Sequence, residues 1–163
     1  MSRTANIPAG NIARLVLDTN VWLDWLVFDD AGVAPIREAV ARGSAGIFIS
    51  SACEAELIRV LNYPLSQFTL DADTQAAALS QCRAIARASQ DCLDPHTITA
   101  LPRCVDPDDQ MFLELARDCR ADALITKDRD LLALAARKVK PLPFRILTPR
   151  EFARDASCTM IIG

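Results

Sequence analysis

Histidine is nearly missing from this sequence: His96 is the single one in 163 residues. No two cysteines are spaced as Cys-x-x-Cys. Zinc sites built from histidine clusters or paired cysteines are therefore excluded, as is a dithiol redox motif. Glycine and proline are sparse, at 5 and 9 residues, and aromatics make up 6%. That excludes collagen-like and low-complexity chains, and an apolar content of 51% excludes intrinsic disorder. There is no excess of positive charge, because 18 basic residues face 21 acidic ones for a net −3. A nucleic-acid partner would have to be held by a local patch or through metal ions. No uncharged apolar run nears the roughly 18 residues of a membrane helix. Met1–Arg14 has no apolar leader core, so the expected compartment is the cytoplasm, with no membrane partner. There Cys53, Cys82, Cys92, Cys104, Cys119 and Cys158 are expected as reduced thiols filling small apolar slots.

What the sequence does have is alternation. Residues 14–18 read as a buried strand that ends in an acid, and 21–28 as a helix whose only charge is Asp24. A helix over 34–42 has Pro35 in its first turn and Gly43 at its end. A strand over 46–50 leads to a helix over 51–61, and a longer Ala-rich helix is expected over 71–88. An irregular connection over 89–105 carries His96, which reads as a loop residue. Then come a helix over 107–119, a strand over 123–126 and a helix over 128–138. A strand over 144–147 and a last helix over 149–155 close the pattern. Short apolar strands alternating with helices imply an α/β fold, a three-layer α/β/α sandwich around a mostly parallel sheet of four or five strands. The expected organisation is one domain over 14–155, a flexible segment over 1–13 and a tail over 156–163.

In open sheets of this kind ligands bind beyond the carboxyl ends of the strands, and acids recur there. Asp18 follows the first strand, Glu54 and Glu56 lie on the helix after the second, and Asp128 and Asp130 follow the third. Asp106-Pro-Asp-Asp109 opens the helix before the third strand. Each acid also has a plain reading as a helix cap or a partner of the helix dipole. Asp106 before Pro107 fits a cap. Asp109 does not, because Phe112, Leu113 and Ala116 place it on the core-facing stripe of its helix. On the 51–61 helix the wheel puts Glu54 inside the apolar arc and Glu56 at its edge, and does not choose between them. Carboxylates gathered at one sheet edge repel each other, and a divalent cation with oxygen ligands is the usual relief. Such ions hydrolyse phosphodiesters without a nucleophilic serine, cysteine or histidine.

Four stretches in order resemble the PIN domain, and specifically the bacterial PIN-family toxins related to VapC. They are Val16-Leu-Asp18-Thr19-Asn20; Cys53-Glu-Ala-Glu56-Leu-Ile-Arg-Val-Leu61; Asp106-Pro-Asp-Asp109 running on to Ala116; and Ala121-Asp-Ala-Leu-Ile-Thr126-Lys-Asp128-Arg-Asp130. Arg145-Ile-Leu-Thr148-Pro-Arg-Glu-Phe152 is similar to the family's closing strand and helix. The resemblance implies a Mg²⁺- or Mn²⁺-dependent endoribonuclease acting on RNA, with an antitoxin protein as a partner. It implies Asp18, Glu56, Asp109 and Asp128 as catalytic and metal-binding residues, and it favours Glu56 over Glu54. Lys127 departs from the glycine common in relatives.

Asn20, Thr126 and Asp130 are supporting candidates, while Arg37, Lys127 and Arg129 (with Arg42 further along the rim) are candidates to meet RNA phosphates. Trp22, Trp25 and Phe28 read as core with some surplus exposed, which leaves room for a homo-oligomer. A haloacid-dehalogenase phosphatase would need an acid where Asn20 stands. A receiver domain would need an acceptor Asp after a central strand, where Ser50 stands. The alternative from another class is a catalytically silent PIN scaffold that binds RNA or a protein.

Overall fold

The computed structural model describes residues 12–64, 69–88, 101–136 and 142–162, with side chains as far as Asp155. His96, Cys92 and most of the 89–105 connection lie outside the described residues, as do nearly all of the 1–13 segment and the side chain of Cys158.

Among the described residues five strands form one parallel sheet in the order β3-β2-β1-β4-β5. β1 (Ala13–Leu17) is central, with Leu15 level with Ile47 of β2 (Ala45–Ile49) on one side and Ala123 of β4 (Ala123–Ile125) on the other. β3 (Ala86–Ala88) and β5 (Arg145–Leu147) form the two edges. The chain moves outward from β1 to β2 and β3, then returns to the other side of β1 for β4 and β5. The β1–β4 boundary is thus the point where strand order reverses, the place at which open parallel sheets have their ligand crevice past the strand ends.

The strands read as unbroken apolar runs because helices cover both faces of the sheet. Leu15, Val16, Leu17, Ile47, Leu124 and Ile125 are buried, each burial favouring folding by about 1.5–3 kcal/mol for a large side chain. α1 (Thr19–Leu26) buries Trp22 and Trp25, whose rings stack with centroids 5.9 Å apart. Phe28, just past its end, is 44% exposed, so the surplus of this apolar segment comes down to one ring. α2 (Ala34–Ala41) packs on β2 and on α7 (Pro149–Ile162), and α5 (Gln110–Asp118) packs on β1 and β4. Cys53, Cys82 and Cys119 are buried free thiols and Cys104 is half-buried, as small-slot fillers should be.

Several boundaries shift by one or two residues, and four elements differ more in kind or extent. The Ala-rich segment expected as one helix over 71–88 is α4 (Ala72–Ile85) followed by β3. Ala86–Ala88 pairs with Ile47–Ile49, so the open edge of β2 overrides helix propensity. The helix expected from Pro107 begins as a 3₁₀ turn over Pro107–Asp109, and α5 proper starts at Gln110. α6 (Arg129–Leu134) ends four residues short of Lys138. α7 continues to Ile162, where a tail from 156 was expected.

Candidate active site

Asp18 ends β1 and caps α1. Its Oδ1 accepts from Thr19 N–H at 2.7 Å and its Oδ2 from the Thr126 hydroxyl at 2.7 Å. Asp18 is only 5% exposed. Burial pushes its carboxyl above the ordinary value; the Thr126 and Thr19 hydrogen bonds oppose the rise, Asp128 adds to it and Lys127 subtracts from it.

Thr126 ends β4 and is fully buried. Its N–H donates to Leu147 O at 2.9 Å, which extends the ladder. Its hydroxyl donates to Asp18 and accepts from Asp128 N–H at 3.0 Å. One oxygen thus couples the first acid to the backbone that carries the fourth. Asp128 caps α6, its Oδ1 accepting from Asp130 N–H at 2.9 Å and Leu131 N–H at 3.1 Å. Asp130 itself is exposed and contributes its backbone amide there.

Asp109 closes the 3₁₀ turn and precedes α5, and its side chain makes no capping hydrogen bond. Asp106 takes the capping role instead, accepting from Asp108 N–H at 2.9 Å. Half-burial, followed by the charges of Asp18, Asp128, Asp106 and Asp108, pushes the Asp109 carboxyl up to about 7. Asp18, Asp109 and Asp128, from three separate stretches of sequence, therefore share one electrostatic neighbourhood. Cys104, which sequence reasoning treated as a space filler, belongs to it too. Burial, then Asp109, Asp106 and Asp128, push its thiol up to about 11.

The two glutamates of α3 (Ser51–Leu61) part company. Glu54 turns toward α4, accepting from Arg83 Nε at 3.1 Å and Nη2 at 2.6 Å. This pair lies in a separate cavity of about 490 Å³ lined by Ser50, Ser51 and Ala86. Glu56 accepts from Arg59 Nε at 2.6 Å and Nη2 at 3.1 Å. Together with Asp18, Glu56 bears on the buried Cys53 thiol, which burial above all pushes up to about 11. The charges that chiefly raise Asp109 are those of Asp18, Asp128, Asp106 and Asp108. The charges of Asp18 and Asp128 thus reach Asp109, while Glu56 is clasped by an arginine.

Asn20 is exposed in the first turn of α1. Arg37 donates to Asp29 at 2.6 Å and Arg129 is exposed at the start of α6. Lys127 forms an ion pair with Asp24, a buried residue of α1. Sequence reasoning saw Asp24 only as the odd polar residue in an apolar helix. The signal it missed was that a buried carboxylate requires a partner.

Residues 14–130 match the family model of the PIN domain. The chain belongs to the PIN domain family. PIN domains are generally nucleases and typically use divalent metal ions. No curated protein matches the sequence. Among the described residues no three His, Cys, Asp or Glu side chains are already drawn together as metal ligands. The chemistry of this PIN domain's acids nonetheless fits a hard cation. The donors are all carboxylate oxygens, and the Asp109 carboxyl is raised toward neutrality in part by its neighbours' charge. Asp18, Asp109 and Asp128 would hold the ion, and Glu56 would join them on leaving Arg59. No helix among the described residues is long and apolar enough to cross a membrane.

Proposed function

We propose that this PIN domain is a Mg²⁺- or Mn²⁺-dependent endoribonuclease that hydrolyses RNA phosphodiester bonds, and that it is a VapC-like toxin countered by an antitoxin protein in the cytoplasm. The observation that carries the reading is that Asp18, Asp109 and Asp128 act on one another at the strand-order reversal, where burial first and these neighbouring charges next push Asp109 up to about 7. A bound ion would polarise water and stabilise the leaving oxygen. Asp18 is held for that task by Thr126 and Thr19, and Asp128 by the first turn of α6, so both carboxylates are fixed before any ligand arrives. Asp109 would give up its proton on taking the ion. Asn20 stands at the rim, where it can orient substrate, and Arg37 and Arg129 are the cations proposed to meet the RNA backbone.

One observation favours a catalytically silent scaffold, namely the lack of a ready-gathered ligand trio among the described residues. The two readings separate in one experiment. RNA cleavage with Mn²⁺ is measured for the wild type, Asp18→Asn and Asp109→Asn. The nuclease reading expects cleavage by the wild type and its loss in both variants. Unchanged turnover in the variants, or a wild type that neither binds Mn²⁺ nor cuts, overturns it.

A further inference from the structure

The Asp24–Lys127 ion pair lies outside the acid set and has no role in the mechanism above. Asp24 is the one charged residue between Val21 and Phe28, and it is 8% exposed. A carboxylate so placed on an apolar helix is costly unless a cation meets it. Lys127 supplies that cation from the other side of the crevice. It stands between Thr126, whose hydroxyl holds Asp18, and Asp128, whose amide donates to that same hydroxyl. α1 starts at Asp18. The pair therefore spans the strand-order reversal, joining the second turn of α1 to the three-residue link between β4 and α6. It closes a ring that runs from Asp18 through α1 to Asp24, across to Lys127, and back through Thr126. A lysine occupied in this way has its ammonium turned toward protein, although its side chain is 48% exposed.

We infer that Lys127 and Asp24 are positioning residues: their ion pair straps the Thr126–Asp128 link to α1 and so sets the spacing of Asp18 and Asp128 for a divalent cation. This rests on the proposed metal-dependent reading of the site, and it gives Lys127 a role other than contact with RNA.

The test uses the full chain with Asp24→Asn, Lys127→Met, the double variant and Lys127→Arg. Three quantities are measured: amide hydrogen exchange at Asp128 without metal, Mn²⁺ affinity by calorimetry, and kcat and KM for RNA. The strap expects faster exchange at Asp128 in both single variants. It expects Mn²⁺ binding weakened by about tenfold in each, the size seen when a residue that orients a metal ligand is lost. The double variant should be no worse than either single one, because both remove the same contact. Lys127→Arg should restore affinity, and KM should hold while kcat falls. If Lys127→Met leaves Asp24 unpaired and unfolds the chain, Asp24→Asn and Lys127→Arg still decide the matter. Wild-type exchange at Asp128 in Asp24→Asn overturns the strap whether or not the protein cuts RNA. A raised KM in Lys127→Met alone, with Asp24→Asn unaffected, overturns it in favour of direct RNA contact. A wild type that neither binds Mn²⁺ nor cuts RNA strikes the nuclease reading instead, and the exchange data still judge the strap.

Discussion

The two flanks of the crevice treat their acids differently. On the β1–β4 flank, Asp18 and Asp128 are held by neutral donors: a threonine hydroxyl and backbone amides. On the α3 flank, Glu54 and Glu56 are each clasped by an arginine. Neutral donors fix a carboxylate's position without cancelling its charge, so the field of the first flank stays open to a cation. Arginine does both, so the second flank adds little to that field until a clasp opens. Position is thus built in on one side and conditional on the other.

The sharpest way to break the comparison is to remove charge on each flank in turn. Asp18→Asn keeps the shape of the Thr126 contact and deletes the charge, so RNA cleavage with Mn²⁺ should fall by about a hundredfold or more, the scale of losing a central electrostatic group. Glu56→Gln should cost about tenfold, since that acid joins only after leaving Arg59. Glu54→Gln should stay within about twofold, because its partner Arg83 and its cavity lie toward β3. Equal losses for the two glutamates, read from kcat/KM under one Mn²⁺ concentration, would erase the distinction within α3.

Thr126→Val probes the neutral-donor flank through stability. The variant leaves Asp18 Oδ2 without its hydroxyl donor and Asp128 N–H without its acceptor, both just past the ends of β1 and β4. The expected loss is about 1–3 kcal/mol in denaturant unfolding. Thr126→Ser keeps the oxygen and should lose less. A valine variant as stable as the wild type would mean the hydroxyl is not what holds this flank.

Much of this was legible in the chain, and the rest was hidden for identifiable reasons. The strands at 13–17, 45–49 and 123–125 announce themselves as short apolar runs because both faces are covered. Asp109 could be set apart from Asp106 by helical spacing alone, and the structure agrees, since Asp106 caps and Asp109 does not. β3 was not legible. Ala86-Arg-Ala88 has no strand signal of its own and becomes a strand only because β2 offers a free edge. The division between Glu54 and Glu56 was equally hidden, for it depends on Arg83, 29 residues further along. Asp24 was visible as an anomaly, but its partner across the crevice was not.

Asp109 offers the finest measure of the difference, through its proton. Its folded value of about 7 lies well above the ordinary 3.8, mainly through burial and then through its acidic neighbours. Below about pH 4 the folded and unfolded chains both carry the proton, and the site costs nothing. As pH rises from there toward 7, the unfolded chain releases the proton while the folded chain keeps it, so stability falls across that window. Above 7 the full cost is present. Solvent reaches a half-buried carboxylate, so that cost should be about 1–2 kcal/mol rather than the whole of the difference. In metal-free buffer Asp109→Asn should therefore be more stable than the wild type at pH 8 by that amount, with the gap closing toward pH 4. Parallel unfolding curves for Asp109→Asn and the wild type at pH 4 and pH 8 would mean that the folded chain does not hold the Asp109 carboxyl above its ordinary value.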